Sequence, residues 1–150
     1  MKNIFRKLIH FIGNLIRFAH LTKLRILGVT IGKNTMISLG AKIDIHRGKV
    51  SIGDNFLITS GVKILSHDGA SRMINIDDFG NGEVNIGNNI FIGVNAVILK
   101  GVNIGDNSVI GAGAIVSKDV PPKSLVVGNP GKIIKKLEGP FPILNDHKTH

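Results

Sequence analysis

The chain has no cysteine, no tryptophan and no tyrosine, and only 10 acidic residues against 19 lysines and arginines. The missing cysteine excludes disulfides, thiolate zinc sites and a covalent cysteine nucleophile, and is compatible with a reducing compartment. Seven phenylalanines are the only aromatics among 150 residues, so the core has to be built from isoleucine, valine and leucine in regular layers. Long apolar runs are missing too. Arg6, Lys7 and Arg17 interrupt the apolar N-terminus, which reads as neither a secretory leader nor a membrane span. The scarcity of acid leaves a formal charge of +9, which calls for an anionic partner or surface. Nucleic acid is not that partner, because the basic residues do not interleave with stacking aromatics and no nucleic-acid motif is present.

What the chain has instead is a period of six. Aliphatic residues fall at Ile86, Ile92, Ile98, Ile104, Ile110 and Val116, and the same beat occurs at Ile31, Ile37 and Ile43 and at Ile52, Ile58 and Ile64. Three such faces per turn give a triangular coil of about eighteen residues, an all-β solenoid whose beat points inward. Ile-Gly-x-Asn recurs at 31–34, 52–55, 86–89 and 104–107. Asn and Gly tolerate the left-handed backbone of tight corners, so these asparagines read as corners, not as an amide ladder for ligand recognition.

The pattern divides the chain into a helical segment (1–28), a solenoid (29–137) and a polar tail (138–150) to which no role is assigned. In the first segment Ile4, Phe5, Leu8, Ile9, Ile12, Leu15, Ile16 and Ala19 share one helical face, and Lys2, Arg6, Lys7, Asn14 and Arg17 take the other. The favoured role is a cap over the open end of the solenoid, which would otherwise expose apolar layers and unpaired strands. The second is peripheral contact of residues 1–20 with an anionic membrane, at its inner face in a cytoplasmic protein.

The beat fails twice. Between Ile43 and Ile52 it is three residues too long, around His46, Arg47 and Gly48. Between Ile64 and Ile86 it is lost in a polar excursion, residues 66–83, which holds His67, Asp68, Arg72, Asp77 and Asp78. A polar excursion from a regular solenoid is where chemistry is sought. His67 stands at its mouth, directly after an aliphatic strand, and imidazole is the side chain suited to accept a proton near neutral pH. His46 is its only rival. No histidines and carboxylates have convincing metal-ligand spacing, and Asp77, Asp78 and Glu83 read as solvated loop acids. No metal is expected.

Several motifs stand in order: Ile52-Gly-Asp-Asn, Gly61-Val-Lys-Ile-Leu-Ser-His67, Ile104-Gly-Asp-Asn-Ser-Val-Ile-Gly-Ala-Gly113, Val116-Ser-Lys-Asp-Val-Pro-Pro122 and Gly128-Asn-Pro-Gly-Lys132. From about Ile52 to Leu137 the chain resembles the hexapeptide-repeat acyltransferases of the sugar O-acetyltransferase kind. The resemblance implies a left-handed parallel β-helix and an acetyl-CoA-dependent O-acetyltransferase acting on a sugar hydroxyl. It makes His67 the general base for direct attack on the thioester and the Val94 backbone amide the oxyanion donor. Ala112, Ser117, Lys118 and Lys132 would contact coenzyme A, the lysines at its phosphates. It also implies a homotrimer with active sites between subunits.

His67-Asp68-Gly69 replaces the His-Pro of the maltose type, and the basic amphipathic start differs as well. Both departures resemble the acetyltransferases of capsule, lipopolysaccharide and exopolysaccharide synthesis, whose acceptors are sugars or glycans. N-acylation of an amino sugar nucleotide or a small amine or alcohol is the alternative chemistry. A non-catalytic β-helix scaffold is the alternative class. A zinc-dependent carbonic anhydrase of this fold needs several coil-matched histidines, and no third one joins His46 and His67.

Overall fold

The computed structural model describes residues 2–44 and 46–139. It opens with helix α1 (Lys2–Ile26) and then winds through successive three-strand coils. The first coil is β1 (Thr30–Ile31), β2 (Met36–Ile37) and β3 (Lys42–Ile43); the second is β4 (Val50–Ile52), β5 (Phe56–Ile58) and β6 (Lys63–Ile64). A short helix, α2 (Ser71–Ile74), interrupts the winding. The third coil is β7 (Val84–Ile86), β8 (Ile90–Ile92) and β9 (Val97–Ile98), and the fourth is β10 (Asn103–Ile104), β11 (Val109–Ile110) and β12 (Ile115–Val116). Strands β13 (Ser124–Val127) and β14 (Lys132–Lys136) end the described chain.

Stacking turns each coil position into a parallel sheet. The first face is β1-β4-β7-β10, the second runs from β2 through β5, β8 and β11 to β13 and β14, and the third is β3-β6-β9-β12. Pairing joins beat to beat, as in Ile52 with Ile86 and Ile58 with Ile92. Among the beat residues Ile43 is half-buried and all the others are buried. Two residues earlier in each hexad a second inward position is filled, by Val50, Phe56, Val84, Ile90 or Ala96 for example. A strand contributes so few residues that burial comes from the stack and not from any one coil.

The corners hold a feature that the periodicity does not disclose. Asn34, Asn55, Asn89 and Asn107 adopt left-handed φ angles of 50°, 54°, 55° and 59°, as corner residues. Their side chains also stack into an amide ladder. Asn34 Nδ2 donates to Asn55 Oδ1 at 3.1 Å, Asn55 to Asn89 at 3.0 Å, and Asn89 to Asn107 at 3.1 Å. The asparagines are corners, as expected, and the ladder is internal: its amides are taken up by one another. Coils also approach closely at the next corner, between the second and third faces. A Cβ placed on Gly93 would lie 2.6 Å from the Ala112 backbone nitrogen, so any side chain there forces two coils apart.

The two ends close differently. Antiparallel pairing of β14 with β13 covers the last parallel strand of the second face. At the other end Leu24 and Val29 enter the core and Leu21 packs half-buried against it. The cap is therefore made by the last turns of α1 alone, and none of residues 4–18 is buried. No described helix is long and apolar enough to cross a membrane. From residue 140 the tail lies outside the described residues.

Candidate active site

Equivalent positions are 21 residues apart from the first coil to the second, 34 from the second to the third, and 18 from the third to the fourth. Both surpluses fall at the corner between the third and first faces. His67 lies there, three residues after Ile64 closes β6. Backbone pairing draws the long excursion into a neck: Gly82 N donates to Ser66 O at 2.8 Å, His67 bridges Asn81, and Asp68 N donates to Gly80 O at 2.9 Å. Gly80 has a φ of 74°, and a Cβ there would collide with the Asp68 carbonyl, so the neck needs glycine at this point.

Beneath His67 lies Asp44, one coil earlier, in the shorter of the two breaks. Its Oδ2 contacts His67 Nδ1 and accepts from the Ser66 hydroxyl at 2.9 Å and the Ser66 N–H at 3.2 Å. Its Oδ1 accepts from the His46 N–H at 3.1 Å. Burial pushes the Asp44 carboxyl up, but the His46 N–H, the His67 ring and the Ser66 hydroxyl outweigh it and bring the pKa down to about 2. Asp44 therefore stays ionised and can only accept. A neutral His67 must carry its proton on Nδ1, which leaves the Nε2 lone pair free. The Asp44 side chain is 8% exposed and that of His67 37%, so the anion is shielded while the imidazole reaches solvent.

The depressed pKa has a consequence for stability. A carboxyl whose folded pKa lies below its ordinary 3.8 adds stability that is present above that value and lost as pH falls toward about 2. The difference amounts to roughly 2 kcal/mol. Asp44→Asn is expected to be less stable than wild type at neutral pH and to lose less stability than wild type between pH 4 and 2, read by chemical denaturation at each pH.

A cleft of about 340 Å³ opens at this corner, lined by Leu65, His67, Asp68, Ala70, Leu99, Lys100 and Ser117. Lys100, with 19% of its side chain exposed, reaches Asp68 at 3.4 Å and Asp78 at 3.3 Å and so ties both sides of the excursion to the third coil. Hydrogen bonds from Ser71 and the Lys100 charge hold Asp68 below the usual carboxylate range. In Asp78 the Gly80 N–H and Lys100 do the same. Lys100→Met is expected to leave the solenoid intact and to raise amide exchange selectively in residues 68–80, measured by mass spectrometry. A larger concavity of about 720 Å³ runs along the first face past Ser51, Asn85, Asn103 and Asp119. It contains neither His67 nor Asp44, and its one carboxylate, Asp119, is taken up by the Asn103 backbone and side-chain amides, so the smaller cleft is the candidate.

The expected site residues fall into groups. Ser117 lines the His67 cleft, and Lys118 follows it on the same corner. Val94 and Ala112 share the corner between the second and third faces, where Gly113 N donates to Val94 O at 2.8 Å. The third face separates that corner from His67. Lys132 lies on β14, exposed. Within one chain, then, His67 and Ser117 are brought together and Val94, Ala112 and Lys132 are not. His46 contributes its backbone N–H to Asp44. The loop acids are not a cation cluster, since Asp78 bonds Lys100 and Glu83 pairs with Lys49 at 3.4 Å. Among the described residues no group of three His, Cys, Asp or Glu is placed to hold a metal.

Asp44 and Lys100 escape the sequence reading. Asp44 leaves one trace there, an acid directly after the last beat before a break. Its partner lies 23 residues on.

Comparison with known proteins follows the same outline. Residues 83–118 match a family model described as the hexapeptide repeat of succinyl-transferase. Protein CapG of Staphylococcus aureus is 40% identical over 110 residues, covering 73% of this chain and 54% of CapG. The chain thus spans about half the length of that relative. A hexapeptide-repeat acetyltransferase from Vibrio cholerae, solved with acetyl coenzyme A, superposes with a TM-score of 0.65 at 31% identity, covering 75% of this chain and 62% of its own. The polySia-specific acetyltransferase NeuO superposes at 0.64 with 36% identity, covering 72% and 51%.

Proposed function

As a member of the hexapeptide-repeat acetyltransferase family, the chain is one that we propose transfers an acetyl group from acetyl-CoA to a sugar hydroxyl of a cell-envelope glycan in the cytoplasm. The observation that carries this reading is the pairing of His67 with an ionised, shielded Asp44 at the mouth of a cleft. Such a pair fixes the tautomer and orientation of a base and stabilises the cation it becomes.

In the proposed reaction His67 Nε2 takes the proton as an acceptor hydroxyl adds to the thioester carbonyl. The C–O bond forms, the C–S bond breaks, and the imidazolium returns the proton to the departing thiolate. Asp44 remains ionised and balances the charge on His67 throughout. An amine acceptor has less need of this base, so the His67–Asp44 pair favours a hydroxyl.

The surface suits coenzyme A. Gly101 and Gly113 leave open space where a Cβ would stand, so bare backbone is offered beside Ser117 and Ala112. Lys118 and Lys132 are exposed and form no ion pair among the described residues, as phosphate ligands should be. The separation of Val94 from His67 makes sense in a homotrimer of left-handed β-helices, where the Val94–Ala112 corner of one copy faces the His67 corner of the next. The Val94 N–H then serves as oxyanion donor across the interface. Outward on the second face, Met36, Leu57, Phe91, Val109 and Leu125 stack in register as an apolar stripe, half-buried and available for packing between copies.

Thiol release from acetyl-CoA across a panel of sugars, nucleotide sugars and glycan fragments tests the reading. Acceptor-dependent release is expected for at least one glycan class. Absence of coenzyme A binding in calorimetry would overturn it in favour of a scaffold. Asp44→Asn is expected to lose roughly 10²-fold or more in kcat/KM, because an amide can stabilise the wrong imidazole tautomer.

A further inference from the structure

Helix α1 carries more apolar surface than the fold can use. Among its described residues only Leu21 and Leu24, near its end, are packed in or against the hydrophobic core of the solenoid. Between residues 4 and 18 every isoleucine, leucine and phenylalanine is between 46% and 74% exposed. These residues are not scattered. At helical spacing Phe5, Leu8, Phe11, Ile12, Leu15 and Phe18 fall within one half of the circumference, and Arg6, Lys7, His10, Asn14 and Arg17 fill the other half. Three of the chain's seven phenylalanines lie on this exposed arc, whereas Phe56 is the phenylalanine of the buried core.

The charge of the helix selects the occupant. Its 25 residues include Lys2, Arg6, Lys7, Arg17, Lys23 and Arg25 and not one aspartate or glutamate. A second copy of the helix would bring basic residues against basic residues, with no acid to compensate. An apolar arc spanning half the circumference is also wider than the seam of a helix pair. A broad apolar arc with aromatic side chains, backed by a purely basic arc, is matched by the surface of an anionic bilayer.

We infer that residues 4–19 of α1 lie flat on an anionic lipid surface, with the apolar arc sunk to the acyl boundary and Arg6, Lys7 and Arg17 among the head groups. The helix cannot cross the bilayer, and the solenoid stays outside it. About 24 Å of helix would contact lipid. The inference does not rest on acetyl transfer: a lipid-bound solenoid need not be an enzyme.

Vesicle flotation tests it with the full chain. One set of vesicles is phosphatidylcholine alone, and the other contains equal parts phosphatidylcholine and phosphatidylglycerol. Wild type is expected to float with the anionic vesicles and at least about tenfold less with the neutral ones. Leu8→Asp/Leu15→Asp changes two residues that are 51% and 59% exposed and should abolish flotation with the fold intact by circular dichroism. Arg6→Gln/Lys7→Gln should weaken it by roughly fivefold per charge removed. Thiol release with a soluble acceptor should be the same in all three proteins.

Wild type that stays at the bottom of the gradient with both vesicles overturns the inference. So does a Leu8→Asp/Leu15→Asp variant that floats like wild type. If that variant instead lowers the mass in light scattering while wild type does not float, the arc is buried between copies. Flotation without any thiol release would leave the lipid contact standing and remove the catalytic reading.

Discussion

His67→Ala is expected to lower kcat/KM for acetyl transfer by about 10²- to 10⁴-fold, the usual worth of a positioned general base. Coenzyme A affinity should be unchanged, because the proposed contacts to it come from Ala112, Ser117, Lys118 and Lys132. The substitution removes a side chain that is 37% exposed and leaves Asp44 bonded to Ser66 and to the His46 N–H, so the fold should survive it. Stopped-time assays beside calorimetric titration of coenzyme A separate the two effects. Loss of rate with loss of binding would mean that His67 holds the donor and does not move a proton. Full retention of rate would favour an amine acceptor, which needs no enzyme base.

The largest expected effect on stability lies elsewhere. Phe56 is fully buried, and its neighbours in the same inward slot shrink along the stack to Ile90, Ser108 and Ser124. Ser124 N donates to Ser108 Oγ at 3.2 Å, so the far end of the slot is already polar and closed by hydrogen bonding. The phenyl ring fills this slot at the second coil. Phe56→Ala should cost about 3–5 kcal/mol, because rigid coils above and below cannot collapse into the cavity. Phe79→Ala removes a ring that is 72% exposed and should stay within about 0.5 kcal/mol of wild type. Denaturant unfolding of the pair gives the comparison, and near-equal effects would mean that the second coil repacks.

How far the sequence discloses this molecule depends on which interactions are periodic. Ile31, Ile52, Ile86 and Ile104 stand on one face because a single rule, an aliphatic residue every sixth position, repeats often enough to outweigh local propensity. His67 is visible because it stands where that rule stops. Asp44 is not, since its contact with His67 depends on how three surplus residues between Ile43 and Ile52 route the backbone. Lys100 hides for a related reason: it occupies an ordinary corner, and its partners Asp68 and Asp78 reach it only once the excursion has folded back. The amphipathic face of α1 is plain from spacing alone. That only its last turns cap the solenoid depends on the direction in which the helix leaves the first coil, and residue spacing does not encode that direction.

Both departures from eighteen-residue winding share one vertex, and the longer is pinched shut by Ser66, Asp68, Gly80 and Gly82. The stack on either side continues in register, with Ile64 beside Ile98 and Ile52 beside Ile86. Residues 69–79 thus form an exchangeable cassette. A sequence of different length and chemistry inserted there, with Lys100 re-partnered, should leave His67, Asp44 and the rest of the winding in position. Such an architecture lets the excursion vary without renegotiating the core.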